Sequence, residues 1–297
     1  MVYEKAYISN DPEPHDNETA LSAMAGDSGY KLGTLHGQIR AKMQRDGKRF
    51  WAGDNISEYV TEDFKEKLID EATEAFELVL DRLLIDRVND PNSKGTARRL
   101  AKMYFNEIMA GRYEPAPDAT AFPNDTQDRY EGMLVVRSEL RSMCSHHHQP
   151  VVGVAYIGVI AAQHLIGLSK YTRLAQWCAR RGTLQEELAN DIAREIQKAT
   201  GAKDLGVYIQ AVHGCCENRG IMAHSSLTQT TVLKGVFSTD PSVKKEFMDN
   251  IKLQQEFTNF SEFFPYETSV TGPCPISAKK HFCLCGFFRC LQWRAVC

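Results

Sequence analysis

One thiol and three imidazoles stand together in Cys144-Ser145-His146-His147-His148, and His213-Gly214-Cys215-Cys216 adds an imidazole and two more thiols later in the chain. Zinc takes thiolate and imidazole ligands, and two side chains of one short turn can reach the same ion. Residues 205–216 read as a strand, on which alternation sends His213 and Cys215 to one side and Cys216 to the other. Three protein ligands plus a water is the plan of a catalytic zinc site, and surplus histidines are then free to move protons. Three consecutive histidines alone would favour a structural zinc or imidazoles exposed on a loop. Their conjunction with the second segment favours the catalytic arrangement.

A second group of residues suits an anionic ligand. Ser169, Lys170 and Arg173 open a predicted helix, where unpaired backbone N–H groups and the helix dipole favour phosphate. A basic helix end on the protein surface would look the same. Gln185 and Glu186 begin the next helix, and Thr183 with Glu186 makes a capping box.

The elements that must position these residues follow from periodicity. Residues 132–143 and 151–160 are rich in Val, Ile and Tyr and read as two strands. Ser169 to Arg181 reads as a helix ending at Gly182. The next helix repeats Leu184, Leu188, Ile192 and Ile196 every four residues and stops at Gly201. Strands are expected at 205–216 and 226–237, and a last helix after Pro241. The first half is helical: a short helix near 34–45, a long one over 58–86, and one over 97–110 capped by Thr96 and stopped by Gly111. Two strands, two helices and two strands give an α+β domain, an antiparallel sheet with helices on one face. The expected divisions are a flexible N-terminal extension (1–55), an N-terminal helical region (56–127), a catalytic domain (128–260) and a Cys-rich tail (261–297). That tail holds five of the nine cysteines, and its spacing matches no paired metal site.

Composition sets the setting. Lys and Arg number 35 against 38 acids, a net charge of -3, which points to no nucleic-acid partner. No apolar run is long enough to span a membrane, and the first residues lack the basic start and apolar stretch of a secretory signal. A cytoplasmic setting is the expectation, with thiols kept reduced for metal or core.

The segments MCSHHHQP, GLSKYTR, ARRGTLQEEL, HGCCENRG and LKGVF occur in the order and spacing of GTP cyclohydrolase I, and the upstream GTARRLAKMYFNEI resembles a helix of that family. The resemblance covers roughly residues 60–256. It implies Zn2+ on Cys144, His147 and Cys215, with His146 and His213 moving protons and Ser169 beside them. It also implies Lys170, Arg173 and Arg219 on the triphosphate of GTP, joined by Arg99 from a neighbouring subunit, and Gln185 with Glu186 on guanine. The implied reaction opens the guanine ring, releases formate and yields 7,8-dihydroneopterin triphosphate. The implied architecture is the tunnelling fold in a toroidal homodecamer with active sites between subunits. Two positions depart from the pattern: Ser145 stands where the family has Glu, and His148 where an apolar residue is usual. Ser145 favours a second reading, a non-catalytic or altered-specificity paralogue that binds a purine nucleotide or pterin. A nucleic-acid-binding zinc module, the third reading, has neither the charge nor the ligand spacing behind it.

Overall fold

Four strands make the main sheet, in the order β2 (Met133–Met143), β3 (Pro150–Ile160), β5 (Leu205–His213) and β6 (Thr228–Lys234), every neighbour antiparallel. The computed structural model describes residues 33–125, 129–161, 164–223 and 226–259; the Cys-rich tail expected at 261–297 lies outside them. All described residues up to Gln255 belong to one compact unit, and a second begins at Glu256. A smaller antiparallel pair joins β1 (Ala121–Pro123) to β4 (His164–Ile166). Register matters most at one end of the large sheet. Ser142 of β2 faces Val151 of β3, and Val151 faces His213 of β5. The turn after β2 and the segment leaving β5 are therefore neighbours, although far apart in sequence.

Helices cover both faces of this sheet, not one. On the first face, α5 (Leu168–Ala179) and α6 (Gln185–Thr200) bury Tyr171, Leu174, Leu188, Ile192 and Ile196 against Ala155, Ile157, Val207 and Ile209. On the second, Phe237 of α8 (Val236–Thr239) and Phe247 and Ile251 of α9 (Pro241–Asn259) pack with Tyr156 and Tyr208. The reason lies in the inner strands. β5 is almost continuously apolar and buried, the pattern of a strand covered on both sides. Gly158 and Gly206 face each other in register, and a Cβ on either would come within 2.6 and 2.9 Å of the Phe247 ring. The paired glycines form a trough that the rings of Phe247 from α9 and Phe237 from α8 fill.

Ahead of the sheet, α1 (Leu35–Arg45) lays Ile39 and Met43 on Ile56, Val60 and Leu68, the last on α2 (Glu62–Arg82). Thr34 caps α1, and the Glu71 carboxylate accepts from the backbone N–H of Leu35 and His36. Residues 33–55, which composition placed in a flexible extension, are thus tied to the helical region. The helix expected over 97–110 is broken up: α3 (Thr96–Met103), a π-helical turn (Tyr104–Ile108) and α4 (Ala110–Tyr113). Gly95, left-handed at φ 76°, precedes α3, so Thr96 is inside the helix and not its cap. Gly111 does not stop a helix either. A Cβ there would lie 2.1 Å from the Trp177 carbonyl, so glycine is required for close approach to α5. The capping box fails likewise: Leu184 is the N-cap of α6, and Thr183 donates to Glu187, at 3.0 Å, which leaves Glu186 exposed.

Candidate active site

The turn that follows β2 carries Cys144 buried at its base and His146, His147 and His148 exposed. Two backbone bonds close it: Cys144 N–H donates to Gln149 O at 2.9 Å, and His148 N–H to Cys144 O at 3.0 Å. His148 adopts a left-handed conformation, φ 51°, which lets the chain re-enter the sheet at β3. Its Nδ1 lies 3.3 Å from the Tyr104 hydroxyl, and Tyr104 stacks on Phe76 of α2. The π-helical turn therefore aims a tyrosine at the histidine cluster. No sequence signal had singled out Tyr104.

Cys215 arrives from the other side, and not on a strand. β5 ends at His213, and Gly214–Glu217 coil into a single helical turn, α7. Gly214 fits there because a Cβ would press on the Pro150 carbonyl at 3.1 Å. Helical rather than alternating geometry brings the Cys215 and Cys216 sulfurs to 4.0 Å, so Cys216 does not point away as strand alternation required. The Cys215 thiol also meets the thiol of Cys144. Burial first, and then the facing Cys144, push the Cys215 thiol up to about 11.

Two thiols forced together in this way suit a cation, which would remove the repulsion between their anionic forms and pull both toward thiolate. The donor chemistry therefore fits zinc. The third ligand the resemblance implied, His147, stays on the exposed rim of the turn with its ring edge-on to His146. Among the described residues, no three His, Cys, Asp or Glu side chains are gathered closely enough to hold a metal ion.

His213, at the end of β5, is half-buried and is gripped by Gln185 from the first turn of α6. Its Nε2 lies 2.7 Å from Gln185 Oε1. The orientation of this amide is fixed by its other contacts. Gln185 Nε2 donates to Ile209 O (3.4 Å), Thr228 O (3.2 Å) and Thr230 Oγ1 (3.2 Å), and two of these are carbonyls that can only accept. The oxygen must therefore face His213, and His213 Nε2–H donates to it. Burial lowers the His213 pKa, with the Glu186 carboxylate opposing, so the ring is neutral near pH 7. Gln185 itself is 4% exposed. Expected on guanine, it instead has its amide consumed inside the fold, while the neighbouring Glu186 carboxylate is open to solvent.

The expected phosphate residues are dispersed around this centre. Ser169 and Arg173 are exposed on the first turns of α5, whose N-cap, Gly167, offers no side chain. Lys170 Nζ donates to the Asp118 carbonyl at 2.6 Å. Arg219 is exposed just past α7. Arg99 is held by its own loop, donating to Asn92 O, Lys94 O and Thr96 Oγ1.

The chain is similar to known proteins over the span that holds these residues. GTP cyclohydrolase 1 of Flavobacterium johnsoniae is 38% identical over 193 residues, covering 65% of this chain and 85% of that protein. GTP cyclohydrolase 1 of Aeromonas salmonicida is 38% identical over 176 residues, covering 59% and 79%. A solved structure, the archaeosine synthase QueF-Like in the apo form, aligns with 35% of the chain at 13% identity and a TM-score of 0.30, too slight a likeness to bear on the fold. The model of the GTP cyclohydrolase I family matches residues 72–252, a span that holds both meeting thiols, the histidine turn, Gln185 and His213. The chain belongs to the GTP cyclohydrolase I family.

Proposed function

We propose that this chain is a GTP cyclohydrolase I: it opens the guanine ring of GTP by hydrolysis, releases formate and forms 7,8-dihydroneopterin triphosphate. The observation that carries this reading is the meeting of two thiols from distant segments beside a neutral histidine whose Nδ1 is unclaimed by Gln185. Cys144 and Cys215 would hold zinc together with His147, which reaches them through a rotation of its exposed turn. When bound, zinc supplies a Lewis acid that makes water a nucleophile near neutral pH.

The chain's own residues do the rest. His213, neutral and held through Nε2–H, takes up or gives a proton at Nδ1, and His146 on the neighbouring turn is the second proton carrier. Water adds at carbon 8 of guanine while a histidine protonates the adjacent ring nitrogen. The imidazole ring opens to a formamide, and a second water hydrolyses that formamide to release formate. The ribose opens, rearranges and recloses onto the freed amine with loss of one water. The exposed Glu186 carboxylate accepts from the ring N–H donors of guanine. Lys170, Arg173 and Arg219 bind triphosphate near the start of α5, with Ser169 adding a hydroxyl donor. Arg99 serves the site of a neighbouring subunit, exchanging its loop carbonyls for phosphate oxygens. A tunnelling-fold homodecamer in the cytoplasm, with sites between subunits, completes the proposal.

The test is direct. Purified zinc-loaded protein is incubated with GTP, the product is oxidised, and neopterin fluorescence is read. Zinc-loaded protein that gives no fluorescence sinks the reading. One observation favours an alternative: the turn carries Ser145 where the family has an acid. Tight purine or pterin binding with no turnover would select that non-catalytic paralogue.

A further inference from the structure

We infer that Gln185 is a positioning residue that fixes the orientation and tautomer of His213, and is not a reader of guanine. The inference deepens the cyclohydrolase reading and rests on it for the catalytic consequence, though not for the geometry. His213 is the last residue of β5, where the ladder stops and α7 begins. A ring at such a position is free to turn over about its Cβ–Cγ bond, which exchanges the places of Nδ1 and Nε2. One bond prevents it, the 2.7 Å contact of Nε2–H with Gln185 Oε1.

Gln185 can hold the ring because it is itself held. It starts α6, and its amide nitrogen bridges Ile209 of β5 to Thr228 and Thr230 of β6. Helix and two strands thus converge on one amide, whose oxygen can point only at the imidazole. With Nε2 carrying the proton, Nδ1 is left as the acceptor. A guanine reader needs an exposed amide, and this one is 4% exposed with both ends engaged. The adjoining Glu186 has the opposite disposition, exposed and unengaged by any cap.

The experiment compares the wild type with Gln185→Met, which keeps approximate length without hydrogen bonds. Histidine 15N shifts are recorded at pH 8, where an imidazole of ordinary pKa is neutral. The His213 pair is identified as the one lost in His213→Gln. In the wild type, without substrate, His213 should show the Nε2-protonated pattern; in Gln185→Met it should become a mixture. With GTP, kcat should fall about 10- to 100-fold while KM stays within about threefold, the scale on which an orienting partner of a histidine acts. A wild-type His213 protonated on Nδ1 overturns the proposal without any variant. So does a Gln185→Met protein with an unchanged His213 pattern and a KM raised more than about tenfold, the outcome for a guanine reader. If Gln185→Met does not fold, Gln185→Glu keeps the acceptor and must keep the Nε2-protonated pattern; losing it refutes the positioning role. A wild type that shows the expected tautomer but no turnover of GTP would sink the cyclohydrolase reading and leave the positioning bond standing.

Discussion

Phe247→Ala tests whether the second face of the sheet is a true core. The ring is fully buried and crosses Phe237 edge to face, with centroids 5.3 Å apart at 81°. Removing a buried Phe side chain costs about 3–5 kcal/mol, depending on how far the surroundings collapse. Here they cannot collapse far. The floor of the site is the backbone of Gly158 and Gly206, in strands fixed on both sides by neighbours, and the adjoining wall is Phe237, which rests on the same two glycines. The loss should therefore lie in the upper half of that range, about 4 kcal/mol, with the aromatic pair accounting for about 1 kcal/mol of it. Against a typical total of about 5–15 kcal/mol, that is a large fraction. The assay is urea unfolding at a fixed protein concentration, followed by far-ultraviolet circular dichroism. Leu253→Ala, on the same helix and 59% exposed, serves as the control and should change stability by less than about 0.5 kcal/mol. A Phe247→Ala loss below about 1 kcal/mol, no greater than that of the control, would show that α9 is not packed as described.

Three further outcomes are expected. Purified protein should carry about one zinc per chain, and Cys215→Ser should lose it, since one of two anionic donors is gone; full occupancy in Cys144→Ala, His147→Ala and Cys215→Ala would refute that ligand set. Glu71 should contribute about 1 kcal/mol by capping α1. Its burial raises the pKa, but hydrogen bonds from the His36 ring and the Leu35 and His36 N–H groups prevail and hold it below the ordinary carboxylate value. A depressed folded pKa means this stability is complete above about pH 5 and fades as pH falls through the folded value, so the advantage of wild type over Glu71→Gln should shrink on acidification; one that grows contradicts the cap. Finally, Arg99→Ala and His213→Ala chains should each be inactive, and co-refolding them should restore up to about a quarter of wild-type activity if the site is built between subunits. No recovery in zinc-loaded mixed oligomers would put Arg99 outside a neighbour's site.

Strands and helices were legible where one periodicity ruled. The strand read from composition over 132–143 and the four-residue repeat of Leu188, Ile192 and Ile196 return as β2 and α6 almost to the residue. Failures cluster where glycine has two meanings. Gly201 ends its helix at positive φ, as expected, whereas the helix before Gly182 already stops at Ala179 with Arg180 as its C-cap. Gly111 sits inside a helix because the Trp177 carbonyl leaves no room for a Cβ. Gly158 and Gly206, which no sequence signal singled out, together seat Phe247. Close approach is a property of two distant segments, and single-sequence spacing carries no trace of it. The almost continuous apolar run of β5 fits a strand covered on both faces, yet the expectation had set helices on one face only.

At the site, residue types located the chemistry and hydrogen-bond accounting redistributed the roles. Cys144 and Cys215 were put on one ion by the family resemblance, and the fold brings the two thiols together. Gln185 and Glu186 could not be told apart, being adjacent polar residues at a helix start. Their difference arises only on folding, when position 185 turns inward toward three acceptors and position 186 turns to solvent. A buried amide left without those partners would cost about 1–3 kcal/mol, so the fold must satisfy it. Satisfying it leaves one oxygen with one direction to face, and the residue in that direction is His213. The same requirement that stabilises the junction of α6 with β5 and β6 thus determines which nitrogen of the histidine Gln185 leaves unengaged.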